Sequence, residues 1–336
     1  MLTASRSHER TGEVEMVRAT VSLSVVLALA TSAAVGCTPT PAERETMMMP
    51  VLDNGSFSAD LGGCAIHYEV HGQGPVVMTV PNSWGLSLDG LRGLYRRLED
   101  DLTMVYFDPR GIGGSCPVHE EADMGMAAVR ADFDALRRHL GMETVNAIGW
   151  SNGAMNLILL AAERPEIVES AVFVHGVASF DQEDGRRFAE RQPELVRRWS
   201  ELDRQLHAAE LSAEERTRRQ KAFWVGEMFP ASCADPAAVG PLLVELYREV
   251  EFSWAHADYA NREAPAFDAH GRLADIRARC LVIAGAHDSL EPAKVRELHE
   301  GLVDSRFLLL NNSGHFAPIE EPESFRAAVL DFLGVP

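Results

Sequence analysis

The pentapeptide Gly149-Trp150-Ser151-Asn152-Gly153 sets a serine where an apolar stretch, VNAIGW, gives way to a helix-period stretch, NGAMNLILLAAE. A serine hydroxyl is a weak nucleophile near neutral pH. It becomes effective when a base takes its proton and a carboxylate orients that base. A sharp strand-to-helix turn lifts the hydroxyl above the sheet and aims unpaired N–H groups of the helix N-terminus at an oxyanion formed there. The pentapeptide alone is a weak signal, since Ser151 could equally cap a helix in a non-catalytic domain. Its partners carry the argument. Asp288 follows the apolar run LVIAG (281–285) after only Ala286 and His287, and His315 follows the run at 306–310 through Asn311-Asn312-Ser313-Gly314. All three residues therefore stand at C-terminal strand ends, the edge where an open parallel sheet holds its ligands. The chemistry this allows is attack of Ser151 on a carbonyl, with His315 as base and Asp288 as its orienting acid. His287 is a poor base because neighbours in sequence seldom face each other, and Asp181 is the reserve acid.

The elements that must position these residues alternate along the chain. Residues 56–60 and 64–71 read as a hairpin, and short apolar runs follow at 75–80, 103–108, 145–150, 169–175, 281–285 and 306–310. Helix-period segments separate them at 88–99, 124–140, 152–163 and 322–333. The fold class is α/β, with a mainly parallel sheet covered on both faces. Between residues 177 and 277 the alternation stops in favour of Arg, Glu, Leu and aromatic residues, too long a stretch for a loop. It reads as a helical cap inserted between two parts of the core, 56–176 and 278–336.

GWSNG, LVIAGAHDSLEP and LNNSGHFAPIEEPESF resemble the nucleophile elbow, acid loop and histidine loop of the α/β-hydrolase superfamily, whose chain order is also Ser, Asp, His. DPRGIGGS (108–115) is similar to that superfamily's D-x-R-G-x-G-x-S turn, in which Asp108 and Arg110 are structural. The resemblance runs from residue 56 to the C-terminus. The DPRG turn, long cap and SGHFAPIEEPE tail look most like the proline iminopeptidase-like branch. It implies an α/β-hydrolase fold with a mostly parallel eight-stranded sheet, no cofactor, and an oxyanion hole pairing the N–H of Asn152 with one from the loop after the third strand. That loop is Pro81-Asn82-Ser83-Trp84-Gly85, where many relatives carry His-Gly, and Ser83 or Trp84 supplies the second donor. The glycine run usual in the peptidases is absent, which argues against strict proline iminopeptidase activity.

The expected function is therefore hydrolysis of an ester or amide bond in a small molecule or short peptide. Aromatic and apolar cap residues (Phe223, Trp224, Phe229, Leu246, Tyr247, Phe252, Trp254) suit a moderately apolar substrate. Cap carboxylates (Glu227, Glu245, Glu249, Glu251) would hold an amino group if the enzyme is an aminopeptidase, or simply form a solvated helix face. The alternatives are haloperoxidase- or lyase-type chemistry on the same triad, and a ligand-binding protein with a slow triad. Haloalkane dehalogenation is disfavoured, because its nucleophile is an aspartate. No metal site is expected. His67, Glu69 and His71 in a row on one strand diverge, and His256 stands alone in the cap.

With 50 acidic against 31 basic residues among 336, the chain has a formal charge of -19, which disfavours nucleic acid as a partner. VSLSVVLALATSAAV (21–35) follows Arg18 and is too short for a bilayer span, which needs about 20 residues; it reads as an export signal, 1–36, with Met16 an alternative start. Ala34-Val35-Gly36-Cys37 resembles a bacterial lipobox. Lipidation of Cys37 would anchor the protein to a membrane surface of the bacterial cell envelope through a tether, 37–55, the alternative being a secreted or periplasmic protein. Met47–Met49 have no evident chemistry. Of the other cysteines, Cys64 and Cys280 lie in apolar runs and read as small buried residues, whereas Cys116 and Cys233 form the expected disulfide if there is one.

Overall fold

The computed structural model describes residues 51–336 except Ala209. The export signal expected at 1–36, the lipidation candidate Cys37 and most of the 37–55 tether lie outside the described residues. Eight strands form one sheet in the order β1-β2-β4-β3-β5-β6-β7-β8. They are β1 (Gly55–Asp60), β2 (Ala65–Gly72), β3 (Val76–Val80), β4 (Thr103–Phe107), β5 (Val145–Trp150), β6 (Val168–Val174), β7 (Arg279–Gly285) and β8 (Ser305–Leu310). β1–β2 and β2–β4 pair antiparallel, and every later pairing is parallel, as expected. Every residue of β3 and β4 is buried, because helices cover both faces of the sheet and leave no face for polar side chains.

Helices α1 (Leu88–Tyr95), α2 (Met126–His139) and α3 (Asn152–Glu163) precede β6. Phe133 and Leu136 of α2 and Leu157 and Ile158 of α3 pack on one face of the sheet, with Val76, Val105 and Phe173. Tyr95 of α1 packs on the other face, with Met104, Tyr106 and Val172. Between β6 and β7 the chain is helical, with α4 (Gln182–Arg191), α5 (Pro193–Leu206), α6 (Ala213–Phe223), α7 (Phe229–Ala231), α8 (Pro236–Leu246) and α9 (Trp254–Glu263). A π-helical turn, Trp224–Met228, joins α6 to α7. Helices α10 (Pro292–Gly301), α11 (Ala317–Glu320) and α12 (Pro322–Leu333) complete the fold; α10 has no counterpart in the sequence reading.

The cysteine expectation is corrected. Cys64 bonds to Cys116, with Cα atoms 5.4 Å apart, and Cys233 and Cys280 are free and buried. The DPRG turn folds back over the start of β2, where the Cys116 N–H donates to the Ala65 carbonyl at 2.8 Å, so the bridge joins neighbours in space that lie 52 residues apart in sequence. Cys233 instead packs beneath the histidine loop, where a Cβ on Gly314 would come within 2.8 Å of its Cα.

Candidate active site

Strand β5 ends at Trp150 and α3 begins at Asn152, so Ser151 makes the whole turn, at φ 55°. A non-glycine residue at positive φ is uncommon and costs about 1–2 kcal/mol. The flanking glycines are required by contact: a Cβ on Gly149 would lie 2.5 Å from the Gly153 carbonyl oxygen, and one on Gly153 would lie 2.4 Å from that of Val80. The turn is held by the Ser151 N–H donating to Val174 at 2.8 Å.

Ser151, His315 and Asp288 come together. His315 Nε2 lies 2.9 Å from Ser151 Oγ, and its Nδ1 lies 2.9 and 3.1 Å from the two oxygens of Asp288. The acid and histidine loops cross closely, with the His287 N–H donating to the Ser313 carbonyl at 2.9 Å. A Cβ on Gly285 would come within 2.1 Å of the Gly314 carbonyl. His287 itself is exposed, and Asp181, the reserve acid, faces Lys294 at 3.7 Å. Asp288 is fully enclosed. Burial alone would raise its carboxyl, but His315 and His175 beside it outweigh that and hold it well below the usual carboxylate range.

Sequence reasoning missed three supports. His175 follows β6 directly, is 0% exposed, and places Nδ1 2.6 Å from Asp288 Oδ2. Burial pushes its imidazole down, against the pull of Asp288, so it is neutral near pH 7. Trp150 donates its indole N–H to the His315 carbonyl at 2.8 Å. Glu320 accepts the N–H groups of Gly314 and Phe316 at 2.9 Å each and that of Ala234 at 2.7 Å, tying the histidine loop to the segment after α7. The only available signals were a histidine at a strand's C-terminal end and a carboxylate five residues past His315.

In the loop after β3, the Ser83 N–H donates to the Asn152 side chain at 2.7 Å, and that of Trp84 to the Asn82 side chain at 3.2 Å. Asn156 donates to the Pro81 carbonyl at 3.0 Å, so α3 staples this loop in place. The backbone N–H of Asn152 has no protein acceptor among the described residues. In the DPRG turn, Asp108 accepts the N–H groups of Leu88 at 2.7 Å and Gly114 at 2.9 Å. Arg110 grips Asp132 through two hydrogen bonds, at 2.9 and 2.8 Å. Both are structural. His67 contacts Asp108 at 2.7 Å and His71 contacts Glu69 at 2.7 Å, while His256 joins Ser253 to the Arg110 carbonyl. His175, Asp288 and His315 bring ligand atoms within 4.8 Å of one another, close enough for a metal ion, but His315 already spends Nε2 on Ser151 and Nδ1 on Asp288.

Ser151 and His315 open into a cavity of about 380 Å³ under the helical segment. Trp84, Trp199, Trp224, Phe229, Phe252 and Phe316 make much of its wall. Of the cap residues expected there, Trp224, Phe229 and Phe252 line the cavity, whereas Phe223, Leu246 and Trp254 do not, and Tyr247 lies fully buried in the core. None of Glu227, Glu245, Glu249 and Glu251 lines the cavity. The carboxylate that does, Glu291, lies 2.9 Å from Arg187 and 3.6 Å from Arg191.

Residues 77–322 match the model of the alpha/beta hydrolase fold family. The chain is 27% identical over 255 residues to a protein of Pseudomonas savastanoi pv. phaseolicola assigned as a carbamate hydrolase, covering 73% of this chain and 91% of that one. It is 22% identical over 290 residues to a proline iminopeptidase of Clostridium botulinum, covering 82% of this chain and 94% of that one. An alpha/beta fold family hydrolase from Bacillus anthracis superposes with a TM-score of 0.69 at 16% identity, over 83% of this chain and 99% of that one.

Proposed function

Because the chain belongs to the α/β-hydrolase family, and so to a family of hydrolases, we propose that it is a serine hydrolase cleaving an ester or amide bond of a small, largely apolar substrate. The observation that carries this is the run of contacts from Ser151 Oγ through both nitrogens of His315 to Asp288, at the wall of an apolar cavity. Ser151 Oγ attacks the substrate carbonyl while His315 Nε2 takes its proton. The oxyanion is met by the Asn152 N–H. The second donor is the N–H of Trp84, since Trp84 lines the cavity and its bond to Asn82 is long, whereas the Ser83 N–H is committed to Asn152. His315 then protonates the leaving group, and water, activated by the same imidazole, releases the acyl group.

The aminopeptidase version loses support, because the cavity offers no cap carboxylate for an amino group and Glu291 is occupied by arginines. We place the enzyme outside the cytoplasm, anchored at Cys37. The Cys64–Cys116 disulfide fits an oxidising compartment. No helix of the described residues is long and apolar enough to cross a membrane. Cys37→Ser should shift the protein from the membrane to the soluble fraction of the producing bacterium.

A fluorophosphonate probe tests the chemistry. Labelling of the wild type, lost in Ser151→Ala and His315→Ala, is the expected result. A folded wild type that stays unlabelled and leaves short acyl esters intact would overturn the reading in favour of ligand binding.

A further inference from the structure

We propose that His175 is a fourth, positioning member of the site, which donates its Nδ1–H to Asp288 and so holds the carboxylate in register with His315. This rests on the serine-hydrolase reading for its kinetic consequence, but not for its geometry. Ser151 and His175 are the non-glycine residues at positive φ among the described residues, at 55° and 54°. They end the adjacent parallel strands β5 and β6. Glycine would take up that backbone conformation at His175 without strain, so the ring is kept against a conformational cost. The His175 N–H donates to the Ile283 carbonyl of β7 at 2.9 Å, which pins the residue to the strand that leads into Asp288.

The two oxygens of Asp288 are supported unequally. Oδ1 accepts from His315 at 2.9 Å, from the Leu290 N–H at 2.9 Å and from the Ser289 hydroxyl at 3.2 Å. Among the described residues, Oδ2 has only the longer 3.1 Å contact from His315 and the 2.6 Å approach of His175 Nδ1. A nitrogen lone pair facing a carboxylate oxygen at that distance would be repulsive, so Nδ1 carries the proton and Nε2 does not. In the resting geometry the contact is close but off-axis, and neither ring nitrogen of His175 makes an aligned hydrogen bond. Buried, unpartnered imidazole nitrogens are costly to keep, and Asp288 is the acceptor within reach. The ionisable groups around this pair are His315 from the loop after β8, Glu320 of α11 and Cys233 after α7. No proton leaves His175 during turnover: the Ser151 proton moves to His315, and Asp288 stays a carboxylate.

The test is the pH profile of kcat/KM for His175→Leu and His175→Asn. Asn tolerates positive φ and sets an amide N–H near the position of Nδ1. In His175→Leu, Oδ2 loses its donor and the carboxylate holds the imidazolium proton of His315 longer. We expect kcat to fall about tenfold or more at unchanged KM, and the acidic limb to move to higher pH by about one unit. His175→Asn restores both. An unmoved profile in a folded Leu variant, or an Asn variant as impaired as Leu, overturns the proposal. Nitrogen NMR of the wild type decides it independently of variant folding: a protonated Nδ1 and bare Nε2 on His175 at pH 7 are expected, and the opposite tautomer or a charged ring refutes it. Should the wild type turn over no ester or amide, the hydrolase reading fails, while the NMR result still stands or falls alone.

Discussion

Asn152 does two things in one residue. Its backbone N–H, at the start of α3, has no protein acceptor among the described residues, and its side chain holds the Ser83 N–H at 2.7 Å. On the proposed mechanism, Asn152→Ala therefore keeps the first oxyanion donor but loosens the loop that brings the second. We expect kcat to drop by about 10–100-fold with KM little changed, read by steady-state kinetics on a short acyl ester. Asp288→Asn leaves a group of the same shape but removes the charge that stabilises the imidazolium. A loss of about 10³–10⁴-fold in kcat/KM is expected, and Ser151→Ala combined with it should cost no more than Ser151→Ala alone, because residues acting as a unit are not additive.

The elements around the site meet with no spare room. Helix α3 approaches β3 so closely that Gly153→Ala sets a methyl 2.4 Å from the Val80 carbonyl oxygen. One of the two segments must move, and urea unfolding should show a loss of about 2 kcal/mol or more. The π-helical turn Trp224–Met228 carries Trp224, which packs edge-on against Trp84 with ring centroids 4.6 Å apart. Trp224→Ala should open the cavity. The expected signature is a raised KM for bulky aromatic acyl esters with acetyl ester turnover nearly unchanged, since the residue shapes the wall and touches no reacting group.

At the scale of the molecule, the Cys64–Cys116 bridge closes a loop of 52 residues that holds the three strands β2, β3 and β4. Chain-entropy arithmetic for a loop of that size gives about 4 kcal/mol, so Cys64→Ser with Cys116→Ser should lower the denaturation midpoint strongly without touching the site. Stability should also depend on pH below neutrality. His175 and His256 are buried, and burial holds both folded-state imidazoles down. Between about pH 7 and 5 the unfolded chain binds protons that the folded chain refuses, so stability falls as pH drops through the ordinary histidine range of about 6.5. His207 is shifted upward by the Asp203 carbonyl and Asp258 and acts in the opposite sense, but it is half exposed and screened. Urea titrations at pH 7.5 and 5.5 should show the net loss, reduced in His256→Gln.

The β-α alternation, the break in it over the helical segment and the placement of Ser151, Asp288 and His315 at strand ends were all legible in the chain. Each depends on local periodicity and on where an apolar run stops, which neighbours in sequence decide. What only the tertiary structure decided depends on segments far apart in sequence. Cys116 pairs with Cys64 because the DPRG turn folds over β2. His175 reaches Asp288 because β6 lies beside β7, and Ser83 loses its N–H to a side chain of α3. None of Glu227, Glu245, Glu249 and Glu251 lines the cavity that their composition alone would have let them line. Residue types and spacing name the groups able to do chemistry, and packing determines which of them meet, because a contact needs both partners and a chain pattern describes only one at a time.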